Sequence, residues 1–207
     1  MIQTVHSFSE LSDKAKEKAR ETFLRANYPF DDWWSDVYED AVRMAAILGI
    51  EISTTAHRGR NGRTFQTINI YFSGFWSQGD GASFRGTYRF NAEAVTQIRS
   101  ETNDELLFSL ADQLALLHTT ERLLEIEMTG LDITTSGHYS HSHSINIELS
   151  DFSDNSMYEE AQYLDIFRRF ADWIYKNLEA DHDYLTSDEV INDRLAEEEF
   201  DEDGDVI

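Results

Sequence analysis

The chain has 207 residues, of which 40 are acidic and 17 basic, so its formal net charge is −23. A field this negative repels nucleic acid and attracts basic surfaces, and the absence of cysteine excludes disulfides and thiolate metal sites. Hydrophobic residues make up 41% of the chain, enough for a core, so the composition predicts a folded protein rather than a disordered one.

The charge is unevenly distributed along the chain. Residues 51–100 include 3 acidic and 6 basic residues, a net of +3, whereas residues 151–207 include 19 acidic and 4 basic residues, a net of −15. The N-terminus has no signal-peptide pattern, and no apolar run approaches the roughly 20 residues of a membrane span. We therefore expect a cytoplasmic protein that does not associate with membranes.

Hydrophobic periodicity predicts helices towards both ends of the chain and strands between them. Ala15, Ala19 and Phe23 recur every fourth residue, which is typical of a helix. The capping-box pattern, Ser or Thr followed three residues later by Glu, starts three further helices at Thr102, Ser156 and Thr186. The predicted helices cover 12–25, 31–48, 91–100, 102–117, 156–178 and 186–200, and the predicted strands cover 50–56, 65–72, 83–90, 125–135 and 144–149.

These elements predict an α+β fold, with an antiparallel sheet of about five strands packed against N-terminal, central and C-terminal helices. Two hairpins and one further strand form the sheet, and an Asn-Gly turn joins the first hairpin. We expect one domain over residues 1–200 and an acidic tail over 201–207 that frays. The two hairpin sequences resemble each other. Either a duplication or a chance similarity between strand patterns explains this resemblance.

A glycine-rich loop over residues 73–83 is the densest cluster of unusual residues. Three glycines within eight residues free the backbone to expose N–H groups. However, Asp80 disfavours a phosphate, and no Lys-Ser/Thr follows as a P-loop requires. The loop is therefore either a wide connection packed on Phe75 and Trp76, or a partner-binding surface formed by Trp76, Gln78 and Asp80.

Three segments resemble a family of small bacteriophage and prophage proteins, some of which are labelled antitoxin-like. They are the helix over Phe8–Ala19, the pair Trp33-Trp34 and the Ser-Gly-Phe-Trp-Ser-Gln-Gly-Asp-Gly-Ala motif at 73–82. The resemblance covers about residues 7–90 and does not include the acidic C-terminal half. It implies a phage origin and expression inside a bacterial host cell, but no established activity and no catalytic residues.

A histidine cluster is a candidate metal site. His141 and His143 share one face if they lie on a strand, His138 precedes them, and Asp132 or Glu148 offers a carboxylate. The alternative is an exposed polar turn whose histidines become cationic below about pH 6.5. We expect no bound metal and no other cofactor.

Five arginines form a mildly basic stretch in the strand-rich part of the chain. They are Arg58, Arg60, Arg63, Arg85 and Arg89. Such residues contact phosphate, and Phe65, Tyr71 and Trp76 are available to stack on bases. Because the chain as a whole is so acidic, we expect these arginines to pair with the acidic helices and the protein not to bind nucleic acid directly.

The acidic C-terminal helices are the main candidate for a binding surface. The candidate partner-binding residues are Glu159, Glu160, Asp165, Asp172, Asp188, Glu189, Asp193, Glu197 and Glu198. Acids three or four residues apart place a charge about every 5 Å along a helix, whereas B-DNA has one about every 1.7 Å. One helix therefore falls short of duplex charge density, and two parallel helices or a homodimer come closer.

The charge and the motifs favour a binding protein over an enzyme, because no motif specifies a reaction. The leading hypothesis is a phage-encoded inhibitory protein that binds a host defence or nucleic-acid-processing protein, partly through a nucleic-acid-mimicking surface. One alternative is an antitoxin-like regulatory module that neutralises a basic partner through the sheet and the Trp76 loop. A second is a small metal-dependent hydrolase that uses His138, His141 and His143.

Overall fold

The computed structural model describes residues 5–27, 32–60, 62–118, 130–137, 140–148 and 157–207 of the chain. The predicted α+β fold is confirmed, with helices packed against antiparallel sheets. The chain forms two compact units where the sequence predicted one domain. The smaller unit contains residues 1–35 and 178–207, and the larger contains residues 36–177. The division arises because the two ends of the chain share a hydrophobic core of their own.

Six helices and ten short strands lie in the described part of the chain. The helices are α1 (Asp13–Asn27), α2 (Ser35–Ile47), α3 (Ala94–Glu101), α4 (Glu105–His118), α5 (Met157–Leu185) and α6 (Asp188–Leu195). The strands are β1 (His6–Ser7), β2 (Ile50–Ile52), β3 (Thr54–Arg58), β4 (Thr64–Ile68), β5 (Ile70–Phe72), β6 (Ala82–Phe84), β7 (Gly86–Tyr88), β8 (Leu131–Thr135), β9 (Ile145–Glu148) and β10 (Glu199–Phe200). The predicted strand segment before residue 130 and the predicted cap at Ser156 lie outside the described residues. None of the described helices is long and apolar enough to cross a membrane.

The smaller unit is built around helix α1. Its residues Ala15 and Ala19 are buried one helical turn apart, which confirms the periodicity seen in the sequence. Helix α6 contributes Ile191 and Leu195 to the same core. The antiparallel pair β1–β10 then joins the N-terminal and C-terminal segments of the chain. Two segments that are far apart in sequence therefore fold as one unit.

The acidic C-terminal tail, which we expected to fray, forms a hydrogen-bonded turn. The Oδ1 atom of Asp201 accepts the backbone N–H groups of Asp203 and Asp205, each at 3.0 Å. Gly204 in this turn has a φ of 85° and lies so close to the carbonyl oxygen of Ala15 that a Cβ atom would clash. The tail is ordered because one carboxylate satisfies its N–H groups and a glycine lets it pack closely on α1.

A four-stranded antiparallel sheet, in the order β2-β7-β8-β9, lies in the larger unit. Helix α5 packs against the strands of this unit through aromatic side chains. The ring of Phe170 meets that of Phe84 edge-on at 5.6 Å, and the ring of Phe167 lies 5.5 Å from that of Tyr88. Burial in this packing also raises the pKa of Tyr88. Because helices cover one face of the sheet, alternate residues of its strands are apolar, as the sequence pattern indicated.

Three of the predicted strands each break at a single residue. The breaks fall at Ser53, Asn69 and Arg85. Backbone hydrogen bonds of 2.9 to 3.0 Å join these residues in a ring: Ser53 donates to Arg85, Arg85 donates to Asn69, and Asn69 donates to Ser53. At the breaks each strand changes neighbour, so that β2 pairs with β7, β3 with β4, and β5 with β6. We call this ring the three-strand junction.

The predicted hairpin of β3 and β4 is confirmed. We call it the ribbon (Thr54–Ile68). Thr54 pairs with Ile68 next to the three-strand junction, and Arg58 pairs with Thr64 near the turn. All five residues of β3 and the first four of β4 are exposed. Both faces of the ribbon therefore meet solvent, whereas an antiparallel strand pair commonly buries one face.

Four helix starts differ from the predicted ones by two or more residues, and one of them is α3, which begins at Ala94 rather than at residue 91. Helix α4 is capped by Asp104 rather than Thr102, because the Asp104 Oδ1 atom accepts the N–H groups of the second and third helical residues at 2.8 and 3.1 Å. Helix α6 is capped by the side chain of Ser187 rather than by Thr186. Helix α2 begins at Ser35, since the residues immediately before it form a turn.

The two hairpins with similar sequences pair in the same register. Thr54 lies opposite Ile68 in the first hairpin, and the corresponding Thr135 lies opposite Ile145 in the second. Both duplication and a shared strand pattern give this register, so both explanations stay open.

Candidate functional site

The carboxylate of Asp80 closes the glycine-rich loop. Its Oδ2 atom accepts the backbone N–H of Trp76 at 2.9 Å and that of Ser77 at 2.6 Å. Hydrogen bonds to an ionised acceptor are stronger than neutral ones. Gly79 has a φ of 99°, which favours glycine at this turn. Asp80, predicted to bind a partner, thus uses its carboxylate to shape the loop.

Aromatic contacts attach the loop to the larger unit. The ring of Phe75 lies 6.0 Å from that of Phe72 and 5.5 Å from that of Tyr175 on α5. The Tyr175 hydroxyl also donates a hydrogen bond of 3.0 Å to the carbonyl oxygen of Gly74. Phe75 is therefore a packed aromatic residue that holds the base of the loop.

Trp76 and Gln78 are exposed in this loop. The Trp76 side chain is 77% exposed, although its neighbour Phe75 is packed and contacts it edge-on at 6.3 Å. Large aromatic side chains such as tryptophan are enriched among the residues that dominate protein–protein binding. The loop therefore presents an aromatic side chain from an ordered backbone, as a partner-binding surface requires.

The loop lies against the turn that contains the histidine cluster. A Cβ atom on Gly81 would come within 2.9 Å of His141, so glycine permits this close approach. His141 and His143 stack their rings at 5.2 Å within a turn that includes a 3-10 segment, so the structure has the turn that the sequence offered as the alternative to a strand. The Nδ1 atom of His141 accepts a hydrogen bond from the backbone N–H of His143 at 3.0 Å. This hydrogen bond occupies one of the two ring nitrogens through which His141 could bind a metal.

A cleft of about 400 Å³ lies between the loop and the histidine turn. Its lining residues are Gln78, Gly79, Ser136, Gly137, His141, His143 and Ser144. Of the other predicted ligands, Asp132 is exposed on β8, while His138 and the side chain of Glu148 lie outside the described part. Within that part, no group of three or more potential metal ligands comes together.

The predicted acidic residues divide between the two units. On α5, in the larger unit, Asp165 and Asp172 are exposed and Glu160 is half-buried, while the side chain of Glu159 is not described. The other five are all exposed and lie in the smaller unit, and we call them the acidic surface: Asp188, Glu189, Asp193, Glu197 and Glu198.

Few cations neutralise the acidic surface. The smaller unit has 19 acidic and 6 basic residues. Arg20 approaches Asp188 at 3.9 Å, and the other four acids of the surface have no ion-pair partner among the described residues. Glu189 and Asp193 are one helical turn apart on α6, on the side away from the buried Ile191. The surface therefore concentrates negative charge that is available to a partner.

The ribbon places basic side chains on an exposed strand pair. Residues 52–79 contain no acidic residue. Arg58 and Arg60 are exposed and contact no acidic side chain in the described part of the chain, so these two lack the acidic partners that we expected. Across the ribbon, His57 and Phe65 stack their rings at 5.3 Å, and Phe65 is 56% exposed.

Asn69 organises the base of the ribbon, although the sequence pattern did not select it. Its Nδ2 atom donates to the Ser53 hydroxyl at 2.8 Å, and its Oδ1 atom accepts from the hydroxyls of Thr55 at 2.7 Å and Tyr71 at 3.1 Å. The Arg85 guanidinium lies 5.5 Å from the centre of the Tyr71 ring. The available signal was an asparagine between two isoleucines in a strand, which a buried polar contact explains.

A family model for a domain of unknown function, DUF8835, matches residues 33–188, about three quarters of the chain. The chain belongs to the DUF8835 family. No curated protein and no solved structure matches it.

The DUF8835 match includes the glycine-rich loop and the ribbon and ends at Asp188. Four members of the acidic surface follow that residue in the sequence and lie outside the match: Glu189, Asp193, Glu197 and Glu198. The loop and the ribbon thus fall within the DUF8835 range, whereas most of the acidic surface does not. The resemblance to bacteriophage and prophage proteins stays a prediction.

Proposed function

We propose that this DUF8835 protein is an inhibitory binding protein whose acidic surface occupies the basic, nucleic-acid-binding surface of a partner protein. The observation that supports the proposal is the concentration of exposed acids in the smaller unit, where four of the five acids of the acidic surface have no ion-pair partner among the described residues. Such a field attracts basic surfaces and accelerates their association. The proposed place of action is the cytoplasm of a bacterial cell.

The charge spacing sets how far this mimicry extends. Glu189 and Asp193 are four residues apart, which corresponds to about 6 Å along α6. A duplex has one charge about every 1.7 Å along its axis. The acidic surface thus matches a duplex in sign but not in density, so binding also needs contacts of another kind. Trp76 is the candidate for such a contact, because an exposed tryptophan buries a large apolar area when a partner covers it.

A capture experiment with charge variants tests the proposal. The wild-type protein is immobilised, bound proteins are identified, and the purified partner is assayed for nucleic-acid binding with and without the protein. The test variant neutralises the acidic surface with Asp188→Asn, Glu189→Gln, Asp193→Asn, Glu197→Gln and Glu198→Gln. We expect the wild-type protein to block nucleic-acid binding by the partner and this variant to lose the effect.

A second variant controls for net charge. It neutralises five exposed acids of the larger unit with Asp36→Asn, Glu39→Gln, Glu51→Gln, Glu93→Gln and Asp132→Asn. We expect it to inhibit like the wild type. Equal inhibition by both variants contradicts the proposal, as does binding that is unchanged at about 0.5 M salt, where screening confines charge interactions to about 4 Å.

The identity of the partner distinguishes the forms of this proposal. A defence or nucleic-acid-processing protein supports the inhibitory form, and a toxin supports the antitoxin-like form. Light scattering of the purified protein measures whether it forms a homodimer, which would come closer to the charge density of a duplex.

A further inference from the structure

The ribbon has features that the proposed function does not use. Both of its faces are exposed, and its two strands pair with each other beyond the three-strand junction. Its basic side chains include Arg58, Arg60 and Arg63. A two-stranded segment with both faces exposed does not cover a hydrophobic core. We propose that the ribbon is a DNA-binding arm that enters the major groove of a duplex.

The dimensions of the ribbon suit that groove. Each strand has five paired residues, which corresponds to a length of about 16 Å with the two strands about 5 Å apart. The major groove of B-DNA is about 12 Å wide and admits a two-stranded ribbon. Because the walls of a groove approach the ribbon from both sides, this occupant accounts for the exposure of both faces.

The side chains of the ribbon suit both the phosphates and the base edges. Arg58, Arg60 and Arg63 lie near the turn, where guanidinium groups can contact phosphate or guanine. Thr54 lies at the base of the ribbon and Gln66 in its middle, and the Thr54 hydroxyl donates to the Gln66 Oε1 atom at 3.2 Å. The Thr54 oxygen and the Gln66 amide N–H groups can exchange hydrogen bonds with base edges. The ribbon therefore combines positioning contacts with groups that can read a sequence.

The net charge of the chain does not exclude this contact. At physiological ionic strength the Debye length is about 8 Å, so solvent screens acids that are farther away. Residues 52–79 supply no acid, and Arg58 and Arg60 contact none in the described part of the chain. Our expectation that the protein does not bind nucleic acid rested on the acidity of the whole chain and on pairing of these arginines with the acidic helices. Within the described residues, Arg58 and Arg60 make no such pair.

Fluorescence anisotropy with a labelled 20-base-pair duplex tests the proposal on the full chain. The ribbon variant combines Arg58→Gln, Arg60→Gln and Arg63→Gln. The control variant makes the same charge change at three exposed residues outside the basic stretch, with Lys14→Gln, Arg25→Gln and Lys176→Gln. Circular dichroism melting checks that each variant folds. If the ribbon variant does not fold, the single variant Arg60→Gln replaces it, since Arg60 lies in the turn outside the paired strands.

We expect the affinity of the wild type to fall about 40-fold between 50 and 200 mM salt, the dependence that three phosphate contacts give. The ribbon variant should bind at least about 10-fold more weakly at 50 mM salt and lose most of this salt dependence. The single variant Arg60→Gln should reduce the logarithmic salt slope by about 1. The control variant should bind within about twofold of the wild type, because its ribbon is intact.

Four results would overturn the proposal. The first is that the wild type does not bind the duplex, and the second is that the ribbon and control variants weaken binding equally. The third is tighter binding to a single strand of the same length, which has no major groove. The fourth is salt-sensitive self-association that the ribbon variant abolishes without any DNA binding, which would assign the ribbon to the acidic surface of a second copy. The variant with a neutralised acidic surface keeps the ribbon, so this proposal and the proposed function can fail separately.

Discussion

Replacing Asp80 tests whether one carboxylate holds the glycine-rich loop in the shape that exposes Trp76. The change Asp80→Ala removes the acceptor of two backbone hydrogen bonds, of 2.9 and 2.6 Å. Hydrogen bonds near a protein surface each contribute about 1 kcal/mol net. Losing both therefore costs about 2 kcal/mol of local stability, which corresponds to about a 30-fold shift in the opening equilibrium of the loop.

Amide hydrogen exchange measures this opening directly. The protection of the Trp76 and Ser77 amides should fall about 30-fold in Asp80→Ala, because exchange reports local opening. Asp80→Asn keeps an oxygen acceptor but loses its charge, so it should lose about half of the stabilisation and about fivefold in protection. Gln78→Ala is the matched control in the same loop, and its protection should stay within twofold of the wild type, since the Gln78 side chain is exposed.

The free energy of global unfolding should change little in Asp80→Ala, because the loop opens without the core. Protection at Trp76 and Ser77 that stays within twofold of the wild type would refute the role assigned to Asp80. An equal loss of protection in Gln78→Ala would refute it as well, since that variant keeps both hydrogen bonds.

Three further predictions concern the candidate site and the smaller unit. Trp76→Ala should change the free energy of unfolding by less than about 0.5 kcal/mol, but weaken partner binding at least about 10-fold in calorimetry; unchanged affinity would remove Trp76 from the interface. Gly204→Ala should cost at least about 2 kcal/mol in urea unfolding, because its φ is positive and a Cβ would meet a backbone oxygen. Gly79 also has a positive φ, but a Cβ atom there would have open space around it, so Gly79→Ala should cost about 1 kcal/mol. Equal losses of stability in Gly79→Ala and Gly204→Ala would argue against close packing of the C-terminal turn. The backbone N–H of Asp205, followed by other groups of the turn, lowers the pKa of Asp201. The stability that the ionised Asp201 carboxylate gives to the folded protein is therefore complete above about pH 4, and it is lost as the pH falls through the lower, folded-state pKa. Compared with Asp201→Asn, the wild type should therefore lose more stability between pH 6 and pH 3 in urea unfolding, and parallel losses would contradict this assignment.

Local sequence patterns predicted most elements because they depend on residues close together in the chain. The Ala15–Ala19 spacing predicted α1, and the Asn-Gly turn predicted the ribbon. The helix caps at Asp104 and Ser187 were missed, because neighbouring side chains compete for the same N–H groups and only their positions decide between them. The tail was expected to fray because nothing local indicated that it would pack against α1.

The candidate site was predicted in part. The sequence selected Trp76 and Asp80 together, but their different tasks depend on which atoms the Asp80 carboxylate reaches. It treated the loop and the histidines as separate features, and the structure places Gly81 against His141. Asn69 was not selected, because its importance comes from three side-chain hydrogen bonds, to Ser53, Thr55 and Tyr71.

The sequence by itself determined the α+β class, the order of the helices and of the strands between residues 50 and 148, and the uneven charge, since composition and periodicity specify which side chains face water. Only the tertiary structure decided that the ends of the chain form a unit of their own, and that three strands change neighbours at Ser53, Asn69 and Arg85. A strand pattern records which side of the strand is buried but not which strand lies beside it. Pairing depends on backbone contacts between residues distant in sequence, and those contacts leave the ribbon exposed on both faces.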